Sequence, residues 1–374
     1  MNVTAVPPLS RWEVFCRIVD NYGDIGVCWR LARALVAGHG VAVRLWVDDW
    51  ATLERLCTRA VEDGENLGGI ELRRWLEPFP NVEPADVVIE AFGCELPPTH
   101  VRAMATRAVK PVWINLEYLS AEDWVSGCHG LASPQANVAL TKYFFFPGFA
   151  ADTGGLIREK RLFERRDRVQ VGRPRNETLT ISLFGYEHPG LAGLLQRWRN
   201  NEAAIRLLIP EGRSLREVNA ALDAQLKPGD TLQRDALQVE ALPFVDQDAY
   251  DELLWTCDLN FVRGEDSFVR AQWAAKPLVW QIYPQEEDAH LAKLDAFLMQ
   301  YRAGLDLQAV GALGAFWHAW NGCGGDAAAA WPGLARALPA LEAHAVEWCD
   351  ALREKPNLVD ALWDFCRHIA GESG

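Results

Sequence analysis

The chain has 374 residues, of which 49% are hydrophobic and 24% charged, and it carries a formal net charge of −14. That length exceeds one ordinary core and fits two domains of a soluble globular protein. The acidic balance leaves no dominant basic footprint for nucleic acid, and no apolar run reaches the length of a membrane span. Residues Met1 to Ser10 lack the basic and apolar regions of a secretory signal. Nine cysteines are present, at 16, 28, 57, 94, 128, 257, 323, 349 and 366, with no CxxC spacing. An odd count in largely apolar surroundings predicts reduced thiols in a cytoplasmic protein. The sixteen tryptophans are expected mostly in the core.

In chain order, an apolar strand is predicted over Val14 to Val19. The loop Asp20-Asn21-Tyr22-Gly23-Asp24-Ile25-Gly26 follows, then a helix from Val27 to about Gly38. Further strands are predicted over Val41–Val47, Ala85–Phe92 and Pro111–Leu116. The mixed-charge run from Arg158 to Arg168, leading into Gly172-Arg173-Pro174-Arg175, reads as an exposed interdomain connection. The alternation then restarts. Strands are predicted over Leu179–Phe184, Ala204–Ile209, Leu237–Leu242, Leu259–Val262 and Leu278–Ile282. Helices are predicted from a Ser214 cap to about Leu226, over Gln247–Cys257 and over Glu286–Tyr301, with a helical tail from Ala312 onward. Continuous apolar strands separated by helices imply parallel sheets covered on both faces. The fold class is therefore α/β: two doubly wound, Rossmann-like domains facing across a cleft, with a helical C-terminal tail. The domains are placed at residues 1–160 and 175–354. A tail helix of about 355–374 is expected to pack back on the first.

Two clusters carry chemistry. The first is Asp20 and Asp24, on the loop after the first strand, where doubly wound folds bind ligands. A Rossmann phosphate loop keeps this position small, because anionic side chains repel a pyrophosphate. Paired carboxylates instead suit a cation, general-base work or a metal, and Asp48 and Asp49 could add oxygens to a metal site. Asp24 could equally cap the helix at Ile25–Gly26. The second cluster is Arg263-Gly264-Glu265-Asp266-Ser267, which follows a strand and opens a helix. Backbone N–H groups at Asp266 and Ser267, with the Arg263 fork, could bind a diphosphate, and Glu265 could accept from sugar hydroxyls. The bland alternative is a capped helix with a surface ion pair. Phe184-Gly185-Tyr186 and Leu242-Pro243-Phe244, with Tyr250 nearby, could sandwich a pyrimidine or simply fill core.

The run from Val19 to Arg33, with Trp46-Val47-Asp48-Asp49, Asn115-Leu116-Glu117-Tyr118-Leu119-Ser120, Phe144-Phe145-Phe146-Pro147-Gly148-Phe149 and Arg263 to Phe268, resembles the bacterial protein-arginine rhamnosyltransferases that modify elongation factor P. These motifs span most of the chain to about residue 290; the tail matches only in character. The resemblance implies a GT-B fold and an inverting, metal-independent enzyme without cofactor. The donor would be dTDP-β-L-rhamnose, and the acceptor one arginine of elongation factor P, which the transfer activates. It implies Asp20 as general base with Asp24 supporting it, and Glu265 as a third essential carboxylate. Phe184, Tyr186, Phe244, Gln247 and Tyr250 would surround the thymine and its sugar, while Arg263, Asp266 and Ser267 would hold the diphosphate. Asn21, Tyr22 and Gly23 would form the acceptor-side loop. Competing readings are a small-molecule nucleotide-sugar transferase or epimerase, and a non-catalytic nucleotide-sugar sensor. A dehydrogenase is disfavoured because no GxGxxG follows the first strand.

Overall fold

The computed structural model describes residues 9–20, 22–172, 178–285 and 288–372. Two units divide the chain: Met1–Leu162 with Glu354–Gly374, and Phe163–Arg353. The first unit contributes, in order, β1 (Arg11–Cys16), α1 (Tyr22–His39), β2 (Ala42–Val47), α2 (Trp50–Leu56), β3 (Asn66–Leu67), β4 (Ile70–Arg74), β5 (Val87–Ala91), α3 (Pro98–Thr106), β6 (Val112–Leu116), α4 (Trp124–Cys128), β7 (Ala132–Pro134) and β8 (Thr141–Phe145). Its sheet runs β3-β4-β2-β1-β5-β6-β8-β7. The two outermost pairs, β3·β4 and β7·β8, are antiparallel; the inner pairs are parallel.

The central strand β1 is covered on both faces. Trp12, Val14 and Cys16 join one apolar cluster with Ile25, Cys28 and Leu31 of α1. Phe15 joins another with Trp46, Trp75 and Met104. Glu13 lies fully buried on that second side. It accepts from Arg44 at 3.0 Å, the Trp46 indole at 3.2 Å and the Ala85 N–H at 3.1 Å, and it lies 3.0 Å from the His100 ring. Burial alone would raise its carboxyl; His100, Ala85 and Trp46 together hold it below the usual value.

The second unit contains α5 (Leu162–Gln170), β9 (Leu179–Leu183), α6 (Leu191–Arg199), β10 (Ile205–Pro210), α7 (Arg213–Leu222), β11 (Thr231–Arg234), β12 (Leu237–Leu242), α8 (Gln247–Thr256), β13 (Leu259–Arg263), α9 (Asp266–Trp273), β14 (Leu278–Gln281), α10 (Ala289–Tyr301), α11 (Leu307–Trp320) and α12 (Ala327–Arg353). Its sheet order is β11-β12-β10-β9-β13-β14, parallel except for β11·β12. The chain closes with α13 (Leu358–Glu372) in the first unit. There Leu358, Leu362 and Cys366 enter the β1/α1 cluster, and Trp363 stacks on Trp12 at 5.8 Å. Trp198, Trp255, Trp273, Trp317, Trp320 and Trp331 are among the largest fully buried side chains, so tryptophan here builds core.

The structure departs from the sequence expectations at several points. The short edge strands β3, β7 and β11 and the strands β4 and β8 carried no clear apolar run. β1 ends at Cys16, three residues before the expected Val19, and α1 begins at Tyr22 rather than Val27. The run from Arg158 to Arg168, expected as an exposed interdomain connection, contains the division between the two units at Leu162/Phe163, but it is largely helix α5 rather than open loop, and it is only partly exposed. Its Arg166 is buried and donates to the Trp273 carbonyl at 3.1 Å, and Gln170 donates to the Trp255 and Ala274 carbonyls. The expected continuation through Arg173, Pro174 and Arg175 lies outside the described residues, as do the first two positions of the helix expected from Glu286. None of the nine cysteines is disulfide-bonded.

Candidate active site

In the first unit the β1–α1 loop is built by carboxylates. The backbone N–H groups of Ile18, Val19 and Asp20, which a longer strand would have placed in the ladder, donate to side chains instead. Ile18 donates to Asp48 at 3.0 Å, and Val19 and Asp20 donate to one oxygen of Asp24 at 2.7 and 2.8 Å. This diversion ends β1 early and leaves the Val19 side chain 62% exposed. Asp24 therefore does not cap forward at Ile25–Gly26; it sits in the first turn of α1 and reaches back. It is buried, and burial raises its carboxyl above the usual value. The two N–H donors and the Tyr118 hydroxyl oppose that rise, while Asp48 adds to it.

Asp20 is 8% exposed, and its carbonyl accepts the Gly23 N–H at 2.6 Å. Its carboxylate lies directly over Gly23: a Cβ there would stand 2.6 Å from Asp20 Oδ2. Glycine is needed at this position for space rather than for backbone freedom. Asn21, expected in the same loop, lies outside the described residues; Tyr22 and Gly23 open α1. Asp48 and Asp49, weighed as extra metal oxygens, have other work. Asp48 holds the Ile18 and Asp49 N–H groups, and Asp49 caps α2 through the Thr52 N–H at 3.2 Å. Among the described residues no group of three or more His, Cys, Asp or Glu side chains is arranged to hold a metal ion.

Asn115 to Ser120 carry part of the resemblance but have no role assigned from sequence; the structure shows that they support this loop from the side. Tyr118, after β6, hydrogen-bonds Asp24, and its ring stacks on Phe92, after β5, at 4.5 Å. Asn115 at the end of β6 accepts the Gly93 N–H at 3.2 Å and donates to Glu117. Apart from the Asn115–Glu117 bond, these contacts join residues far apart in sequence, so no local pattern signals them.

In the second unit the centre is Arg263, the last residue of β13. Its guanidinium lies 4.6 Å from the ring centroids of both Phe184 and Tyr186. The side chain is 6% exposed, and its Nη1 is buried without a hydrogen-bond partner. A buried cation with an unmet donor is costly unless an anion completes it; the aromatic faces supply only part of the compensation. Tyr250 meets Phe184 edge-on at 5.6 Å, and burial, with Asp266 adding to it, pushes its phenol well up. Gln247 donates to Asp266 at 3.3 Å. The Ser267 hydroxyl turns inward, accepting the Arg263 N–H at 3.0 Å and donating to the Arg263 carbonyl at 2.6 Å. Gly264, at φ 56°, makes the turn; its carbonyl takes the Trp280 indole at 2.7 Å, and Glu265 precedes the first turn of α9. Phe244 follows β12 and is half-buried.

The structure thus brings Arg263, Phe184, Tyr186 and Tyr250 into one ring cluster, with Gln247, Asp266 and Ser267 ordered by contacts beside it. Ser214, expected to cap a helix, lies inside α7. Its hydroxyl accepts the Gly185 N–H at 2.9 Å, and Gln281 accepts the Tyr186 N–H at 2.8 Å. These two side chains fix the backbone that carries the aromatic pair, and neither was singled out for this from sequence.

Comparison with known proteins follows the same lines. The chain is 52% identical over 374 residues to the protein-arginine rhamnosyltransferase of Pseudomonas aeruginosa, covering 96% of this chain and 99% of that one. It is 39% identical over 306 residues to the protein-arginine rhamnosyltransferase of Neisseria meningitidis, covering 78% of each. A solved structure described as the structural basis for EarP-mediated arginine glycosylation of translation elongation factor EF-P aligns with a TM-score of 0.66 at 37% identity, over 96% of this chain and 99% of that one. A spinosyn rhamnosyltransferase complexed with thymidine diphosphate shares the fold, at TM-score 0.53 and 13% identity over 95% and 99% of the two chains. The architecture is that of GT-B glycosyltransferases with a helical C-terminal segment. Residues 12–367 match the family described as Elongation-Factor P (EF-P) rhamnosyltransferase EarP, and the chain belongs to that family.

Proposed function

We propose that this protein is an inverting glycosyltransferase that moves L-rhamnose from dTDP-β-L-rhamnose to the guanidinium of one arginine of elongation factor P. The observation that carries the donor half is Arg263: a buried guanidinium between two aromatic faces, with Nη1 unpartnered, suits a diphosphate. Phe184, Tyr186, Phe244 and Tyr250 offer ring surface for thymine and sugar, with Gln247 and Asp266 as polar contacts. Glu265 serves as acceptor for sugar hydroxyls. The Asp20 carboxylate serves the acceptor, with Asp24 supporting it through the Val19 and Asp20 N–H groups. A guanidinium is protonated and delocalised, hence a poor nucleophile. Asp20 holds it by charge and takes a proton from the attacking nitrogen as the C–N bond forms. The C–O bond to the diphosphate breaks in the same displacement, so the anomeric centre inverts and the product is the α-rhamnoside. Arg263 neutralises the charge that accumulates on the leaving diphosphate. The reaction uses no metal, and a translation-factor acceptor places it in the cytoplasm.

The test is intact mass analysis of elongation factor P after incubation with this protein and dTDP-rhamnose. One added deoxyhexose, mapped to one arginine, is the expected result. Retained donor binding without a mass shift would refute transfer and favour a nucleotide-sugar sensor.

A further inference from the structure

Asp24 spends its hydrogen-bonding capacity inside the protein. One of its oxygens takes the N–H groups of Val19 and Asp20, the backbone that carries the Asp20 carboxylate. Any help it gives to a reaction therefore passes through Asp20. The third bond comes from Tyr118, on the loop after β6, two strands away from β1 in the sheet. The Tyr118 ring is stacked on Phe92, on the loop after the intervening strand β5, with 17° between the planes. Phe92 adopts φ 57°, a left-handed conformation that a bulky residue enters only under constraint from its surroundings. Three successive loops at one end of the sheet are thus tied together through one ring stack and one hydroxyl.

We propose that Tyr118 is a positioning residue for transfer: its hydroxyl and stacked ring hold the Asp24 carboxylate where it grips the Val19–Asp20 backbone, and so aim Asp20. The proposal rests on the reading of Asp20 as the base. The groups facing Asp24 are Asp20 on the loop itself, Asp48 after β2, Tyr118 after β6 and the Cys16 thiol of β1, which is hydrogen-bonded to Cys28 of α1. Burial and Asp48 press Asp24 toward its neutral form; the N–H groups and the Tyr118 hydroxyl resist. A neutral Asp24 grips two N–H groups less strongly than a carboxylate does. Loss of the hydroxyl therefore loosens the loop and makes it release at a higher pH.

The experiment compares Tyr118→Phe with wild type. Expected are a fall in kcat of about tenfold, an unchanged KM for dTDP-rhamnose, and an acid limb of the kcat profile displaced to higher pH. Carbon-13 NMR of aspartate-labelled protein, with Asp24 assigned from an Asp24→Asn sample, should show its carboxyl titrating at higher pH in Y118F. Should Y118F melt early, Phe92→Leu, which removes the stack and keeps the hydroxyl, gives the same direction in kcat. An unmoved kcat and acid limb in a folded Y118F, or an unmoved Asp24 titration, overturns the proposal. Transfer that survives in Asp20→Asn instead overturns the reading of Asp20, while the Asp24 titration still reports on the Tyr118 contact.

Discussion

Gly23→Ala separates the placement of the Asp20 carboxylate from the stability of the fold. Gly23 is the second residue of α1, and its backbone is helical, so alanine meets no conformational barrier there. Helix propensity alone favours the change by up to about 1 kcal/mol. The new methyl, however, would stand 2.6 Å from Asp20 Oδ2 and 3.2 Å from its Cγ. Ordinary contact begins at 3.4 Å, so the carboxylate oxygen must retreat about 0.8 Å. A displacement near 1 Å at a reacting group costs on the order of a hundredfold in rate, so we predict a loss of roughly 30- to 100-fold in transfer. The assay is the initial rate of deoxyhexose addition to elongation factor P, read by intact mass at saturating donor. Thermal melting should be unchanged or slightly higher, and donor affinity by calorimetry should match wild type. A G23A enzyme with wild-type rate would falsify the placement of Asp20 over Gly23 as a determinant of activity. Equal losses of donor affinity and rate would refute the assignment of this loop to the acceptor.

Other perturbations probe the second unit and the pH response. Arg263→Lys keeps the charge but loses the flat guanidinium that lies 4.6 Å from both the Phe184 and the Tyr186 ring centroids. We predict that donor binding weakens by about tenfold or more; equal affinity in titration calorimetry would remove Arg263 from the diphosphate site. Asp251 and Arg270, which tie α8 to α9, form an ion pair at 2.6 Å with both side chains about 1% exposed. Asp251→Ala strands the buried cation and should cost about 3–5 kcal/mol in urea unfolding; a loss below about 1 kcal/mol would contradict that account. Glu13 and Asp24 act in opposite senses with pH. Glu13 is depressed in the folded state, so its contribution is present above 4.5 and is lost as pH falls through its folded value. Asp24 is raised, so its contribution is present below 3.8 and is lost as pH rises through its folded value. Urea melts across a pH series should therefore show a shallower acid loss for Glu13→Gln than for wild type. Asp24→Asn should unfold no more easily than wild type at neutral pH, because its carbonyl can keep the two N–H bonds without a buried charge. The reverse order in either case rejects the assignment.

Local patterns in the amino-acid chain were enough to place most inner strands within a residue or two, because continuous apolar runs bounded by turns have few other stable states. Asp20 and Asp24 were legible as a charged loop in a position that phosphate-binding folds keep small, and Arg263–Ser267 as a turn opening a helix. Long-range contact decided the rest. Val19 reads as strand by composition, yet its N–H belongs to Asp24, so β1 stops at Cys16. Ser214 reads as a helix cap, yet it holds Gly185, 29 residues away. Tyr118 lies in one of the motifs that carry the resemblance, but its role is not legible there; it matters because the sheet order sets β5 between β1 and β6, which lets Phe92 bridge the gap. Hydrophobic periodicity encodes which face of an element is buried. It does not encode which distant carboxylate, ring or amide completes a hydrogen bond, because that partner exists only once the strands have been set in order.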